Sequence, residues 1–515
     1  MSSEYVMQQQ QQGNQPTPAQ VFEEAHRLLR VGDVFEAAKR AGKLRAHFPD
    51  DIPILALHGF VLAKLGVHAQ ALSDLIRSAQ MTEDALKNDK DENPNRPRIV
   101  DQLIRLSVQI CRSSVVIGEY EAAEEAIETA LQWDPDRADA VGAKAELLAA
   151  QGKPDEGMSL ISQGFKDKLD TRPLVLAKAR ILIDAEKPDM NAIKEVIPEL
   201  ENEAAVTGVP ALELGDLLRA LGHAHDLLGQ HDESFNAFRR AAGLRRGKYD
   251  PRHYTTMTTR VITDWTLDRM SKVIKPDLPE SRHTLILGTP HSGVEVLSEM
   301  LGQFDDVNNV GPLETLSSVC VHHLGARHGV LRPVPFEPQK LRGNQLTEGG
   351  KSYIAQVRTL AGDPFSMCLD THPLNIPLAG AAALMIPGIN IVLCRRDPIE
   401  SALACYCSEM PGNHPYAGEL LNAAGYVADS NRMMDHWASS LGDEHVGANI
   451  IEVQYEDLIK EPAKTAARVA RDLGLDARAT SVKDIPRFEQ GPATHTDDFK
   501  NYTRQVRDLL EPANA

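Results

Sequence analysis

The sequence predicts two kinds of fold in one chain, an α solenoid followed by an α/β three-layer domain with a mostly parallel sheet. In the first half, turn residues recur every 34 positions. In the second half, short β-branched apolar runs alternate with helical stretches. The chain has 515 residues, more than one hydrophobic core usually holds, so at least two domains are expected.

Composition and charge narrow the classes of protein that the chain can represent. Apolar residues make up 42% and charged residues 25%, which is ordinary for a soluble globular protein. The formal net charge is −18, and a surface of that sign repels nucleic acid and anionic membranes. We therefore expect no nucleic-acid partner, although a sum over the whole chain allows a local basic pocket for an anion.

The N-terminal segment, the apolar runs and the cysteines indicate where in the cell the protein is expected. Residues 1–16 are rich in glutamine, which predicts a disordered tail. No basic segment precedes an apolar core there, and no apolar run approaches the ~20 residues of a membrane span. The six cysteines are sparse and lack the paired spacing of metal ligands. We therefore expect a cytoplasmic protein with no integral membrane segment and no metal site.

The first element is a helical repeat array over residues 17–248. Gly32 and Gly66 open equivalent segments (66 − 32 = 34), and so do Gly118 and Gly152 (152 − 118 = 34). Glycine allows the chain to reverse between two helices. A period of 34 residues resembles that of the tetratricopeptide repeat, whose helix pairs must stack to bury their apolar faces. The resemblance implies a protein or peptide partner in the repeat groove, and an unrelated helical bundle is the alternative.

The repeat is interrupted once before the second domain begins. From Gly66 to Gly118 the spacing is 52 residues, and the polar stretch 88–95 between them predicts an exposed loop. Residues 249–281 predict a helical linker, and residues 282–515 the second domain. Strands are predicted there over 284–287, 389–393 and 450–453, separated by helical stretches.

The first predicted strand of this domain leads into a P-loop-type turn. The loop consists of Gly288, Thr289, Pro290, His291, Ser292 and Gly293. Backbone N–H groups at the start of the following helix can bind an anion in such a turn. The next two residues are Val294 and Glu295, where a nucleotide triphosphatase needs Lys and Ser or Thr, so ATP hydrolysis is not supported. A strand–turn–helix without a ligand is the alternative.

A second motif follows the strand at 389–393. It contains Arg395, Arg396, Asp397 and Pro398, in that order. The planar fork of an arginine suits bidentate contact with phosphate oxygens. An Arg–Asp pair that only caps the next helix is the alternative.

Together these motifs resemble sulfotransferases that use 3′-phosphoadenosine 5′-phosphosulfate (PAPS) as sulfuryl donor, over about 282–505. Further segments match that family in order: 370–375 (Asp-Thr-His-Pro-Leu-Asn), 453–458 (Val-Gln-Tyr-Glu-Asp-Leu) and 498–503 (Asp-Phe-Lys-Asn-Tyr-Thr). The resemblance implies that the 288–293 loop, Arg395 and Arg396 bind the donor without a metal. It also implies that Lys500 and Asn501 help to cover the nucleotide.

The chain departs from the family at positions that carry chemistry. His291 replaces an arginine and Thr371 replaces the catalytic lysine; Val294, Glu295, Pro312 and Ala404 also replace family residues. Sulfuryl transfer needs positive charge from the protein that faces the transferring group, and a base that takes the proton of the acceptor hydroxyl. His291, His372 and Glu314 are the candidates for these tasks, since histidine titrates near neutral pH. Loop residues without a catalytic role are the alternative for each histidine.

Two functions therefore remain open from the sequence. One is a sulfotransferase that transfers a sulfuryl group from PAPS to a hydroxyl acceptor, with the acceptor carried by a protein that the repeats hold. The other is a catalytically degenerate sulfotransferase-fold protein that acts as a protein-binding scaffold or nucleotide sensor.

Overall fold

The structure is a computed structural model that describes residues 17–31, 33–88, 93–244, 249–327, 330–361, 367–408 and 414–476. The predicted tail 1–16 and the predicted nucleotide-covering residues Lys500 and Asn501 lie outside these residues. The chain divides into two compact units, with the boundary between residues 247 and 248. The domain limits predicted at 17–248, 249–281 and 282–515 stay predictions.

The first unit is helical throughout its described part, as the sequence predicts. Its twelve described helices are α1 (Pro18–Arg30), α2 (Val34–His47), α3 (Ile52–Lys64), α4 (His68–Asn88), α5 (Arg96–Val116), α6 (Tyr120–Trp133), α7 (Ala138–Ala150), α8 (Pro154–Lys166), α9 (Thr171–Ile183), α10 (Met190–Ala205), α11 (Ala211–Leu227) and α12 (His231–Ala242). Consecutive helices pack against each other along the array, which is the stacking that a helical repeat requires.

The turns between paired helices depend on glycine. Gly66, Gly118 and Gly152 have φ angles of 76°, 79° and 81°, in the left-handed region that other residues rarely adopt. A Cβ atom at Gly118 or Gly152 would meet nothing within 4 Å, so the backbone angle, and not crowding, requires glycine there. The predicted turn at Gly32 lies outside the described residues.

The interrupted spacing also has a structural explanation. Helices α4 and α5 contain 21 residues each, longer than their neighbours of 13 and 14 residues. Asn93–Asn95 form a turn before α5, and residues 89–92 of the predicted loop lie outside the described part. Part of the extra length therefore extends the two helices.

The second unit has helices around a sheet. Its described helices and strands are α13 (Pro251–Asp264), α14 (Leu267–Met270), β1 (His283–Gly288), α15 (Val294–Leu301), β2 (Val307–Asn309), α16 (Thr315–Leu324), α17 (Gly343–Ala361), β3 (Met367–Asp370), α18 (Ala379–Met385), β4 (Asn390–Arg395), α19 (Pro398–Cys407), α20 (Leu420–Ser440), β5 (Asn449–Gln454), α21 (Tyr455–Lys460) and α22 (Pro462–Asp472). Short 3₁₀ turns cover Pro338–Lys340, Pro373–Leu378 and Pro415–Gly418.

The five described strands form one parallel sheet in the order β2-β3-β1-β4-β5. This confirms the α/β class with a mostly parallel sheet. All six residues of β1 are buried, and Ile286 packs with Val294 of α15 and Val392 of β4 in the core. The prediction found β1 and β5 within one residue at each end and β4 within two, but missed the short strands β2 and β3.

The predicted helical linker contributes α13 and α14, and both belong to the second unit. On α13 the ring of Tyr254 lies 5.1 Å from that of Tyr426 on α20. The Trp265 ring, just after α13, meets Trp437 edge to face at 6.3 Å. These buried aromatic contacts pack the segment against the core of that unit.

Candidate active site

The carboxyl ends of the strands gather the predicted site residues. β1 lies between β3 and β4, and the chain leaves β1 toward one side of the sheet and β4 toward the other. In parallel sheets, ligands bind in the crevice at such a switch point. The loop 288–293 follows β1, Arg396 follows β4, and His372 follows β3. The two motifs on which the sequence interpretation depends therefore lie at one edge of the sheet.

The loop after β1 is a tight turn that ends at the first turn of α15. A Cβ atom at Gly288 would lie 2.9 Å from the Cys394 carbonyl oxygen on β4, so only glycine lets the two strands stay paired there. His291 and Gly293 have φ angles of 63° and 88°. This bend turns the backbone into the N-terminus of α15, which is the arrangement that binds anions through N–H groups.

Arg396, which directly follows β4, holds this loop in place. Its guanidinium is fully buried: Nη1 donates to the His291 carbonyl oxygen at 2.9 Å, and Nη2 lies 3.3 Å from a Glu400 carboxylate oxygen. The guanidinium carbon also lies 4.3 Å from the Tyr455 ring centroid. Burial raises the pKa of Glu400, and the Arg396 charge opposes that rise. Arg396 therefore ties strand β4 to the loop and has a carboxylate partner of its own.

Polar atoms without partners test whether the loop suits an anionic donor. The buried side-chain atoms that form no hydrogen bond within the described part of the chain include Ser292 Oγ in the loop, Arg396 Nε after β4 and Ser401 Oγ on α19. Unpaired buried polar atoms are costly, and they are expected where a ligand completes the bonding. Together with the α15 N-terminus they fit a phosphate or sulfate group. Because these atoms are enclosed, binding also requires a local opening of the loop.

A cavity of about 820 Å³ lies beside the ends of β4 and β5. Its charged lining residues are Arg395, Arg396, Asp397, Arg432, Asp435 and Glu456. Arg395 bonds to Asp435 at 2.8 Å and to Glu452 at 3.0 Å. The net charge of the chain allows a local basic pocket, but carboxylates already neutralise these arginines, so the cavity is of mixed charge.

A second polar cluster joins the segment after β3 to the start of α16. Nε2 of His372 lies 2.9 Å from the Glu314 carboxylate, so the structure brings these two predicted residues together. Arg332 joins them: its Nη2 lies 2.7 Å from the other Glu314 oxygen and 2.8 Å from His372 Nε2. Its Nη1 donates to Asn375 Oδ1.

Asp370 anchors this cluster at the end of β3. One of its oxygens accepts the backbone N–H groups of Leu313 and His372 at 3.2 and 3.1 Å. The other accepts from Asn375 Nδ2 at 3.1 Å and from the Tyr353 hydroxyl at 3.3 Å. Burial raises the pKa of Asp370 to about 6, against the lowering effect of the two N–H groups. The aspartate therefore fixes the backbone on which both Glu314 and His372 depend.

The contacts of His372 bear on which ring nitrogen carries its proton. The Leu374 N–H can only donate, so Nδ1 of His372, 3.2 Å away, accepts. A neutral ring then carries its proton on Nε2 and donates it to Glu314, so Arg332 Nη2, which is itself a donor 2.8 Å from Nε2, bonds to the carboxylate and not to the ring. Burial and the Arg332 charge lower the pKa of His372, while its bond to Glu314 raises it. Both ring nitrogens are thus engaged, which leaves Glu314 as the group that can accept a proton.

Glu314 combines exposure with strong local charge. Packing around the carboxyl raises its pKa, but the hydrogen bond from His372 and the Arg332 charge outweigh this and bring the pKa to about 2. The side chain is 75% exposed, so solvent screens these contacts and their stabilising effect is small. An ionised, accessible carboxylate is therefore present throughout the neutral range.

The remaining predicted residues have other surroundings. His291 belongs to the loop after β1, where its carbonyl oxygen accepts from Arg396, whereas Glu314 and His372 pair beside the end of β3. Thr289 is buried, and the Pro290 carbonyl oxygen lies 3.8 Å from Cys405 Sγ. Sequence reasoning missed Arg332 entirely, because it lies in a segment without a recognisable motif.

Two absences apply to the described part of the chain. No group of three or more His, Cys, Asp or Glu side chains there is placed to hold a metal ion. Among the helices of that part, none has both the length and the apolar character of a membrane-crossing segment.

Comparisons with known proteins bear on both units. Residues 284–479 match the sequence profile described as "Sulfotransferase family", and residues 118–181 match that of the tetratricopeptide repeat. An uncharacterized protein of Aquifex aeolicus (strain VF5) is 21% identical over 307 residues, which are 57% of this chain. The chain spans only 39% of that relative.

Solved structures also show similarity. A sulfotransferase from Alicyclobacillus acidocaldarius is 14% identical and matches 46% of this chain and 96% of its own, with a TM-score of 0.28. A sulfotransferase from Mycobacterium tuberculosis H37Rv is also 14% identical and matches 66% of this chain and 98% of its own, with a TM-score of 0.27.

Proposed function

We propose that this protein, a chain that joins tetratricopeptide repeats to a domain of the sulfotransferase family, transfers a sulfuryl group from PAPS to a hydroxyl acceptor. The observation that carries the proposal is the exposed Glu314 carboxylate, bonded to His372 and Arg332 at the edge of the sheet where the 288–293 loop also ends. A general base and an anion cradle at one edge are what sulfuryl transfer needs.

The donor side of the site would use backbone groups more than side-chain charge. The N–H groups at the start of α15, Ser292, Ser401 and Arg396 would hold the phosphate groups, since three of their polar atoms are buried without partners among the described residues. The donor supplies the sulfuryl group together with a phosphate leaving group. Arg395 would contribute only after release from Asp435 and Glu452.

The acceptor side would use Glu314. The acceptor oxygen forms a bond to sulfur while the bond between sulfur and the donor phosphate breaks. The acceptor proton passes to the Glu314 carboxylate, and the bonding electrons leave with the phosphate. Because the pKa of Glu314 is about 2, it is a weak base for a hydroxyl, and we expect slow turnover.

The repeat array would present the acceptor. A groove of about 680 Å³ in the first unit is lined by Phe22, Leu57 and Phe60 together with Arg98 and Arg105. An apolar floor with charged sides suits a peptide segment. The proposal is therefore that the acceptor hydroxyl belongs to a protein that the repeats bind.

A second candidate function is supported by the arginine pairs. Arg396 is fully buried against Glu400, and Arg395 is held by Asp435 and Glu452. Each arginine must leave its carboxylate partner before it can bind a phosphate, and this exchange reduces the free energy gained on binding. This favours a non-catalytic descendant in which the second unit is a scaffold or nucleotide sensor.

Two measurements on the full chain separate these functions. Calorimetry with adenosine 3′,5′-bisphosphate tests the donor site, and a Glu400→Gln variant should bind it several times more tightly because Arg396 is released from a carboxylate. Labelled PAPS with a cell extract tests transfer, with Glu314→Gln as the inactive control. Binding of the bisphosphate without sulfuryl transfer to any acceptor favours the nucleotide sensor. If neither the parent protein nor the Glu400→Gln variant binds the bisphosphate, both the sulfotransferase and the nucleotide sensor are excluded.

A further inference from the structure

We propose that Arg332 is a positioning residue that supplies, from a distant part of the chain, the positive charge that position 371 lacks, and that it orients Glu314 and His372. Thr371 stands where the family has its lysine, and Arg332 lies against the same 370–375 segment. The inference rests on the proposed function for its meaning in catalysis, but its test does not depend on activity.

The guanidinium of Arg332 is built into the cluster and is not a surface group. Its side chain is 4% exposed, although the Glu314 side chain that it contacts is 75% exposed. One edge of the fork bonds to Asn375, and Nη2 lies between Glu314 and His372. Burying a guanidinium is costly unless its N–H groups are paired, and these contacts provide the pairing.

The chain around Arg332 is fixed in place. A bridge pairs Arg327 with Val334, and the Arg327 N–H donates to the Val334 carbonyl oxygen at 3.3 Å. The buried Trp265 ring donates to the Pro335 carbonyl oxygen at 3.0 Å. The segment that carries Arg332 is therefore held on both sides of that residue, as a positioning role requires.

Titratable groups come to the cluster from several elements, and two of them, Glu314 and Asp370, are carboxyl groups. Glu314 stands at the start of α16 and Cys320 lies within that helix; Asp370 ends β3, and Tyr353 comes from α17. Arg332 is the cation that these groups share. Its charge lowers the pKa of both carboxylates, Glu314 and Asp370.

This arrangement gives Arg332 two measurable effects. Its positive charge disfavours a second proton on the His372 ring, so the ring stays a neutral donor. It also holds one Glu314 oxygen, so that His372 binds the other and the carboxylate has a single orientation. Removal of the charge should release both constraints.

The test is a titration of His372 in the full chain by NMR of histidine-labelled protein, with His372→Gln to assign the signal. In Arg332→Met the pKa of His372 should rise by about one unit, because a neighbouring cation is lost. In Arg332→Lys the charge remains, and the rise should be at most half as large. Arg269→Met is the matched control: it removes an arginine that pairs with Asp264, outside the cluster, and should leave the titration unchanged.

Glu314→Gln keeps the test usable if Arg332→Met fails to fold. It removes the anion beside His372 and leaves Arg332 in place, so the pKa of His372 should fall. If His372 titrates the same in Arg332→Met as in the parent protein, or is unaffected by Glu314→Gln, the inference is overturned. A shifted titration together with no transfer from PAPS supports the positioning role and refutes the proposed function separately.

Discussion

Replacement of Arg396 by methionine is expected to destabilise the second unit by about 3 kcal/mol. Methionine keeps an unbranched apolar side chain but removes the guanidinium group, which donates to the His291 carbonyl oxygen at 2.9 Å and pairs with Glu400. Breaking a buried pair costs about 3–5 kcal/mol, and stacking on Tyr455 is lost as well. Arg396 Nε is buried without a hydrogen-bond partner, so its removal also relieves the cost of burying that atom. The net destabilisation is therefore expected at the lower end of the range of about 3–5 kcal/mol.

The neighbouring Arg395 gives a matched control. Its partners Asp435 and Glu452 are 70% and 49% exposed, so the Arg395→Met variant should lose under about 1 kcal/mol. Thermal unfolding followed by calorimetry should show Tm lowered by roughly 6–12 °C for Arg396→Met and by roughly 3 °C or less for Arg395→Met. Equal shifts for the two variants would refute the claim that Arg396 supports the loop from a buried position.

Two further predictions concern the same unit. Gly293→Ala should destabilise this unit by about 2 kcal/mol, because φ is 88° and the added Cβ would lie 2.9 Å from the Tyr455 ring. Gly325→Ala is the control: its φ is 67°, but its added Cβ would meet no atom within 4 Å, so it should cost less in the same melting assay. Burial lowers the pKa of His283 to about 4, so the folded state binds fewer protons than the unfolded state between pH 6.5 and 4. Stability should therefore fall by about 3 kcal/mol as the pH is lowered across that window, and a His283→Phe variant that keeps the same slope in denaturant titrations would contradict this.

The sequence predicts the fold well where a local pattern specifies it. Turn glycines at a period of 34 indicate the repeat, because a left-handed residue must recur wherever the helices reverse. The buried strands β1 and β4 have nearly continuous apolar runs, as is typical of parallel strands that are covered on both faces. The strands β2 and β3 have three and four residues, too few to show a period.

The candidate site is predictable only in part. Glu314 and His372 were found because they lie in or beside segments that resemble the family's motifs, and the structure places them in contact at 2.9 Å. Arg332 was missed because its position depends on how the segment before α17 folds back over the sheet, which no spacing encodes. The side-chain partners of Arg395 were likewise beyond the sequence, since Asp435 and Glu452 come from other elements.

The positive charges of the site follow one rule that links these observations. Arg396 and Arg332 are both almost fully buried, and each contacts a backbone or side-chain acceptor as well as a carboxylate. A buried guanidinium that awaited a ligand would pay its desolvation cost whenever the site was empty, whereas an internal carboxylate offsets that cost at all times. The stability of this unit and its affinity for an anionic donor are thus opposed: each carboxylate that stabilises the empty site must give up its arginine before a phosphate or sulfuryl group can use it.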